Sequence, residues 1–242
     1  LTFRTKNDTF VTLIKIEMIA ERLKILKASI REKSISCGRN PEEISLIGVS
    51  KYQPLSAIEE AYNAGLTNFG ENKAQELKEK FADFNHKVNW HFIGHLQTNK
   101  VKYIIEPAEY IHSLDSIKLA AEIEKRASKI KKIQKVLLEI KTSSEATKFG
   151  LNSESEIYEL VEYCQNSSNL DLVGLMTMAP FTDDEDEIRK SFSSLRKLFD
   201  KLNSEGAGLR HLSMGMSGDW EIALEEGATM LRIGTAIFGS RN

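Results

Sequence analysis

The chain has 242 residues, 41% of them hydrophobic and 28% charged, a balance that suits one large globular core. Its 33 basic and 35 acidic side chains leave a net charge of -2, which gives no electrostatic footprint for nucleic acid or an anionic membrane. No apolar run approaches the ~20 residues of a membrane span, Leu1 to Phe10 carry no signal-peptide core, and the distant Cys37 and Cys164 read as free thiols, so a cytoplasmic location is expected.

In chain order, the first periodic segment is apolar at Ile16, Ile19, Leu23, Leu26 and Ile30, which marks one stripe of an amphipathic helix predicted over 9–36. After Gly38 and Pro41, short β-rich runs alternate with segments of helical periodicity. The predicted strands are Ser45 to Val49, Asn68 to Gly70, Trp90 to Ile93, Tyr110 to Leu114, Val136 to Ile140, Leu172 to Met176, Arg210 to Ser213 and Met230 to Ile233. Intervening helix faces read Leu119, Ile123, Ala127 and Ile130, then Ile157, Leu160, Val161 and Cys164, then Ile188, Phe192, Leu195, Phe199 and Leu202. The acidic run Asp183 to Glu187 sits where the last of these begins and complements its dipole rather than holding a metal.

Parallel strands can be joined only through a crossover of this length, so the alternation implies βαβ units. Such units could build an open doubly wound sheet or a closed barrel. The strand count and the absence of a Gly-rich dinucleotide fingerprint favour an α/β fold of the (β/α)8 TIM-barrel type, a single domain over 1–242 with the N-terminal helix packed on it.

Barrels carry their working groups at the carboxyl ends of the strands. There Lys51 follows the first run, Asn72 the second, His95 the third and Met178 the sixth, while Ser213 and Ser217 flank Gly215 and Gly218 at the end of the seventh and Arg232, Gly234 and Thr235 lie on and after the eighth. A lysine at a barrel mouth can be desolvated enough to act as a nucleophile, although one paired with a carboxylate or reaching solvent fits residue type equally well. Small residues in the loops after strands seven and eight suit a phosphate cup built from backbone N–H groups, or else simple tight turns in which Ser217 or Asp219 caps the helix near Trp220. A strand-one lysine facing a phosphate cup suits a sugar phosphate or pyridoxal phosphate. An arginine such as Arg232 at the pyridine nitrogen would leave the ring unprotonated and a poor electron sink. His91, His112 and His211 read as satisfied barrel-interior residues, and His95 as an edge of the pocket.

From Ile44 to Gly239 the sequence resembles the pyridoxal phosphate homeostasis protein family, which is related to the barrel domain of alanine racemase. The carrying segments are LIGVSKYQP, NFGENKAQEL, WHFIGHLQTNK, IHSLDS, the E-x-x-K-x-G of Glu145 to Gly150, GLMTMAP, and LSMGMSGDWEIALEEGATMLRIGTAIFG. The resemblance implies a fold type III barrel that holds pyridoxal 5'-phosphate as a Schiff base on Lys51, with Asn72 near the ring and Arg232 at the pyridine nitrogen. It implies Ser213, Gly234 and Thr235 on the phosphate, with Ser217 and Met178 lining the pocket. One departure is Lys141, which stands after the fifth strand where asparagine is expected.

The implied function is pyridoxal phosphate (vitamin B6) homeostasis and delivery, by a monomer without established turnover that meets apo-enzymes of this cofactor transiently. The alternative is a slow amino-acid racemase or decarboxylase. Only Ser240, Arg241 and Asn242 follow the resembling region, so no second domain is expected, and a two-base racemisation lacks its second base.

Overall fold

The computed structural model describes residues 6–143 and 149–239, with side chains described from 18 onward. The side chain of Ile16, together with Glu145, Lys148 and the last three residues, lies outside that description. Helix α1 (Lys6–Ser36) leads into β1 (Ser45–Val49), and the chain then alternates through α2 (Leu55–Asn63), β2 (Asn68–Glu71), α3 (Ala74–Asp83), β3 (Asn89–Phe92) and α4 (Val101–Ile104). It continues with β4 (Ala108–Leu114), α5 (Ile117–Lys129), β5 (Gln134–Glu139), α6 (Glu154–Asn166) and β6 (Leu170–Met176). The last elements are α7 (Glu185–Ser204), β7 (His211–Ser213), α8 (Trp220–Glu225), β8 (Met230–Ile233) and α9 (Thr235–Phe238).

Each strand pairs in parallel with its sequence neighbours, and β8 closes on β1 through Ser45 opposite Met230 and Ile47 opposite Arg232. The fold is therefore a closed (β/α)8 barrel. Strand side chains alternate between two cores. Outward residues such as Phe69, Ile111, Val136 and Leu138 pack with the helix stripes, while Ile47, Leu137, Val173, Met176 and Met230 form a smaller cluster inside the barrel.

Every predicted strand overlaps an observed one, with ends shifted by a residue or two. Ile140, predicted inside the fifth strand, lies just past it in an isolated bridge to Leu151. Ile130 does not share the α5 stripe: it is the C-cap residue and 47% exposed, because the chain turns away at Lys131 with φ 55°. Asp184 caps α7, accepting hydrogen bonds from the backbone N–H groups of Asp186 (3.0 Å) and Glu187 (3.3 Å), as the acidic run suggests.

Helix α1 buries Ile19, Leu23, Leu26 and Ile30 against α2, α8 and α9, the helices that flank the β8 to β1 closure. Lys27 Nζ donates to Gly65 O at 2.8 Å and Arg39 Nη1 to Ala228 O at 2.5 Å, which ties the helix and its following turn to both sides of that seam. Among the described residues no helix is long and apolar enough to cross a membrane.

Candidate functional site at the barrel mouth

Lys51 is half-buried in the turn that follows β1, and the backbone on both sides of it is held by a brace of charged side chains. Ser50 Oγ donates to Glu71 Oε1 at 2.5 Å, and Lys80 Nζ donates to Ser50 O, Glu71 Oε1 and Glu76 Oε1, each at 2.7 Å. Tyr52 N–H donates to Glu76 Oε1 at 2.5 Å. That bond offsets an unfavourable conformation, since Tyr52 has φ 63° and a bulky L-residue there costs about 1–2 kcal/mol. Burial raises the Glu71 carboxyl above its ordinary range, opposed by Lys80 and Ser50. The brace is a signal that sequence reading missed: Lys80 stands in the buried stripe of α3 with Ala74 and Leu77, where the helical period calls for an apolar residue.

Asn72 follows β2, the strand beside β1. Its Oδ1 is buried and has no hydrogen-bond partner among the described residues. Buried polar atoms are rarely left so, and an unmet acceptor at a barrel mouth points to a ligand donor. Gly94 holds this backbone close, because a Cβ there would lie 2.4 Å from Asn72 O. A cavity of about 410 Å³ opens beside Asn72, with Phe92, His95 and Gln97 on its wall. His95 stacks on Phe149 with ring centroids 4.0 Å apart and faces Asp115 at 3.7 Å.

On the opposite side, Ser213 and Arg232 belong to the lumen. Arg232 Nη1 donates to Ser213 Oγ at 2.6 Å and Nη2 to Thr177 O at 2.7 Å. Ser213 Oγ also lies 2.9 Å from His112 Nδ1, and His112 Nε2 lies 2.9 Å from His91 Nδ1. Burial lowers the Arg232 guanidinium to about 10, opposed by Asp219 and Glu139, so it stays charged at neutral pH. Ser213 pairs with Met230 in the sheet, four residues before Gly234, so it sits deeper than the small residues at the rim. There Ser217 Oγ accepts from Ala236 N–H at 3.4 Å, which brings the loops after β7 and β8 together beside half-buried Gly234 and exposed Thr235. Asp219 accepts from Met216 N–H at 2.5 Å and makes no side-chain cap for α8. Met178 is half-buried and packs against the inner cluster.

The β5 side carries a second feature absent from the sequence reading. Glu139 is buried and its Oε2 has no partner among the described residues. Burial, with the Asp115 charge, pushes this carboxyl up to about 7 against the pull of Arg232. Lys141, two residues on, is half-buried, and its backbone N–H donates to Leu151 O at 2.9 Å. Among the described residues no group of His, Cys, Asp and Glu is arranged to hold a metal ion.

Residues 43–242 match the family model described as alanine racemase, N-terminal domain. A pyridoxal phosphate homeostasis protein of Aquifex aeolicus is 44% identical over 91% of this chain and 97% of its own. The chain belongs to the pyridoxal phosphate homeostasis protein family. A Helicobacter pylori member is 40% identical over 98% of this chain and 99% of its own. The structure of PipY from Synechococcus elongatus with pyridoxal phosphate bound superposes at a TM-score of 0.81 with 35% identity, over 91% of this chain and all of that one. An alanine racemase of Clostridium difficile shares the fold alone, at a TM-score of 0.76 and 16% identity over 95% of this chain and 60% of the racemase.

Proposed function

We propose that this homeostasis-family chain binds pyridoxal 5'-phosphate as a Schiff base on Lys51 and serves its storage and delivery. In the attachment the Lys51 nitrogen bonds the aldehyde carbon, and the carbonyl oxygen leaves as water. The single observation that carries the reading is the unmet Asn72 Oδ1, at the end of the strand next to the one whose braced turn presents Lys51. The binding of this cofactor by PipY, at 35% identity, supports it.

In this reading Ser217, Gly234 and Thr235 face the phosphate and Met178 lines the pocket. Arg232 faces the ring nitrogen, and Ser213 acts through Arg232, because its hydroxyl is already bonded on two sides. The cofactor supplies an electrophilic aldehyde and, when its ring is protonated, an electron sink. Arg232 carries its own charge at neutral pH and does not readily give a proton to the ring, so the site favours holding over carbanion chemistry. We assign the protein to the cytoplasm as a monomer that hands the cofactor to apo-enzymes in transient encounters.

The decisive experiment is borohydride treatment of the purified, cofactor-loaded chain, followed by peptide mass mapping. Cofactor fixed on Lys51, with the visible absorbance band lost in Lys51→Ala, is the expected result; fixation elsewhere overturns it. Glu139 favours a second reading, slow proton exchange on amino acids, since a lumen carboxyl near 7 can give or take a proton at neutral pH. Incubation of the loaded chain with L-alanine in deuterated water tests that reading, and exchange that disappears in Glu139→Gln would support it.

A further inference from the structure

Three buried side chains, Ser213, His112 and His91, and the half-buried Asn68 lie in a line beneath Arg232. His112 is on β4 and Ser213 on β7, which are not neighbours in the sheet, so their 2.9 Å bond crosses the lumen. The line continues from His112 to His91 at 2.9 Å and from His91 Nε2 to Asn68 Oδ1 at 3.1 Å, reaching the first residue of β2 at the far end of the barrel.

The direction of every hydrogen in this line follows from elementary bonding. Asn68 Oδ1 has no hydrogen and already accepts from Asn89 Nδ2 at 3.1 Å, so His91 Nε2 is a donor. A neutral imidazole has one N–H, which leaves His91 Nδ1 an acceptor from His112 Nε2–H. His112 Nδ1 is then bare and accepts the Ser213 hydroxyl hydrogen, while Ser213 Oγ accepts from Arg232. Neutrality is enforced by surroundings: burial, with His211 and Lys135, holds His91 down to about 3, and burial, with His91, Arg232 and His211, holds His112 well below the ordinary histidine value. His91 is further fixed by Tyr110, stacked at 4.6 Å and 2°.

Each hydrogen therefore points away from Arg232, and the serine lone pair presented to the guanidinium is always available. We propose that Asn68, His91, His112 and Ser213 form a proton-ordered relay that positions Arg232 for the cofactor ring, with His91 and His112 as positioning residues. The assignment rests on the reading of Arg232 given above, whereas the relay itself is a property of the cofactor-free chain.

Two measurements test it. In the full chain labelled with 15N-histidine, without cofactor, His91 and His112 should both read as neutral Nε2–H tautomers that do not titrate between about pH 5.5 and 9. An Nδ1–H tautomer, or a midpoint inside that range, overturns the relay whether or not cofactor binds. In loaded protein, His112→Phe removes the acceptor for Ser213, and the dissociation constant for pyridoxal phosphate should rise about tenfold or more while borohydride still fixes the cofactor on Lys51. His112→Asn, which keeps an acceptor oxygen, should recover part of that loss. Wild-type affinity in a folded His112→Phe overturns the positioning role and leaves the Lys51 reading intact. Absent fixation in the wild type sinks that reading and leaves the tautomer result standing. Should His112→Phe not fold, Ser213→Ala with the same two readouts takes its place.

Discussion

At the scale of single residues, the charged groups at the mouth separate into those that hold the backbone and those that set its pH response. Lys80 is 8% exposed and bonds three acceptors under the Lys51 turn, so Lys80→Met leaves Glu71 with an uncompensated buried charge. A loss of about 3–5 kcal/mol in urea unfolding is expected at pH 8. At pH 5 the loss should be smaller, because burial raises the Glu71 carboxyl and Lys80 opposes that rise, so without Lys80 the carboxyl takes up a proton more readily as pH falls; equal losses at both pH values would contradict the brace. Glu139 works in the opposite sense. Its carboxyl titrates near 7 when folded and near 4.5 when unfolded, so the native state binds the extra proton between those values. Its favourable share of stability is present at low pH and is lost as pH rises through about 7. Glu139→Gln should therefore raise unfolding free energy at pH 8, by on the order of 3 kcal/mol, and change it little at pH 4.

At the scale of elements, a helix end was legible where the required chemistry is local. The run of acids before Ile188 signals an N-terminus because unpaired amides and the dipole attract negative charge, and Asp184 supplies the cap. Asp184→Ala should cost about 1 kcal/mol in equilibrium unfolding, and no loss on substitution would contradict the cap. The end of α5 was not legible at Ile130, whose spacing continues the apolar stripe. The left-handed Lys131 decides that end, and nothing in the side-chain pattern announces it.

At the scale of the whole molecule, two buried neutral histidines make the barrel sensitive to acid. His91 titrates near 3 when folded and near its ordinary 6.5 when unfolded, and His112 is shifted the same way. The unfolded chain then takes up protons that the native chain refuses. Stability is fully present above about pH 6.5 and falls as pH drops toward 3, by up to on the order of 5 kcal/mol for His91 alone. Against the opposing contribution of Glu139, thermal stability from about pH 8 to pH 4 should fall more steeply in the wild type than in His91→Phe; the same acid limb in both proteins would contradict the neutral relay.

What the sequence determined by itself was the order of strands and helices, the closure into eight units, and the candidate residues Lys51, Asn72 and Arg232 at strand ends. Those features follow from periodicity, chain connectivity and the rule that barrels work at their carboxyl ends, all of which are local or nearly so. Only the tertiary structure decided that Ser213 lies beneath Arg232, that His112 on β4 reaches Ser213 on β7, and that Lys80 braces the turn holding Lys51. These contacts join residues 19, 101 and 30 positions apart, in that order. Partners across a lumen depend on stagger and twist when a sheet closes, and no repeat in the chain encodes them.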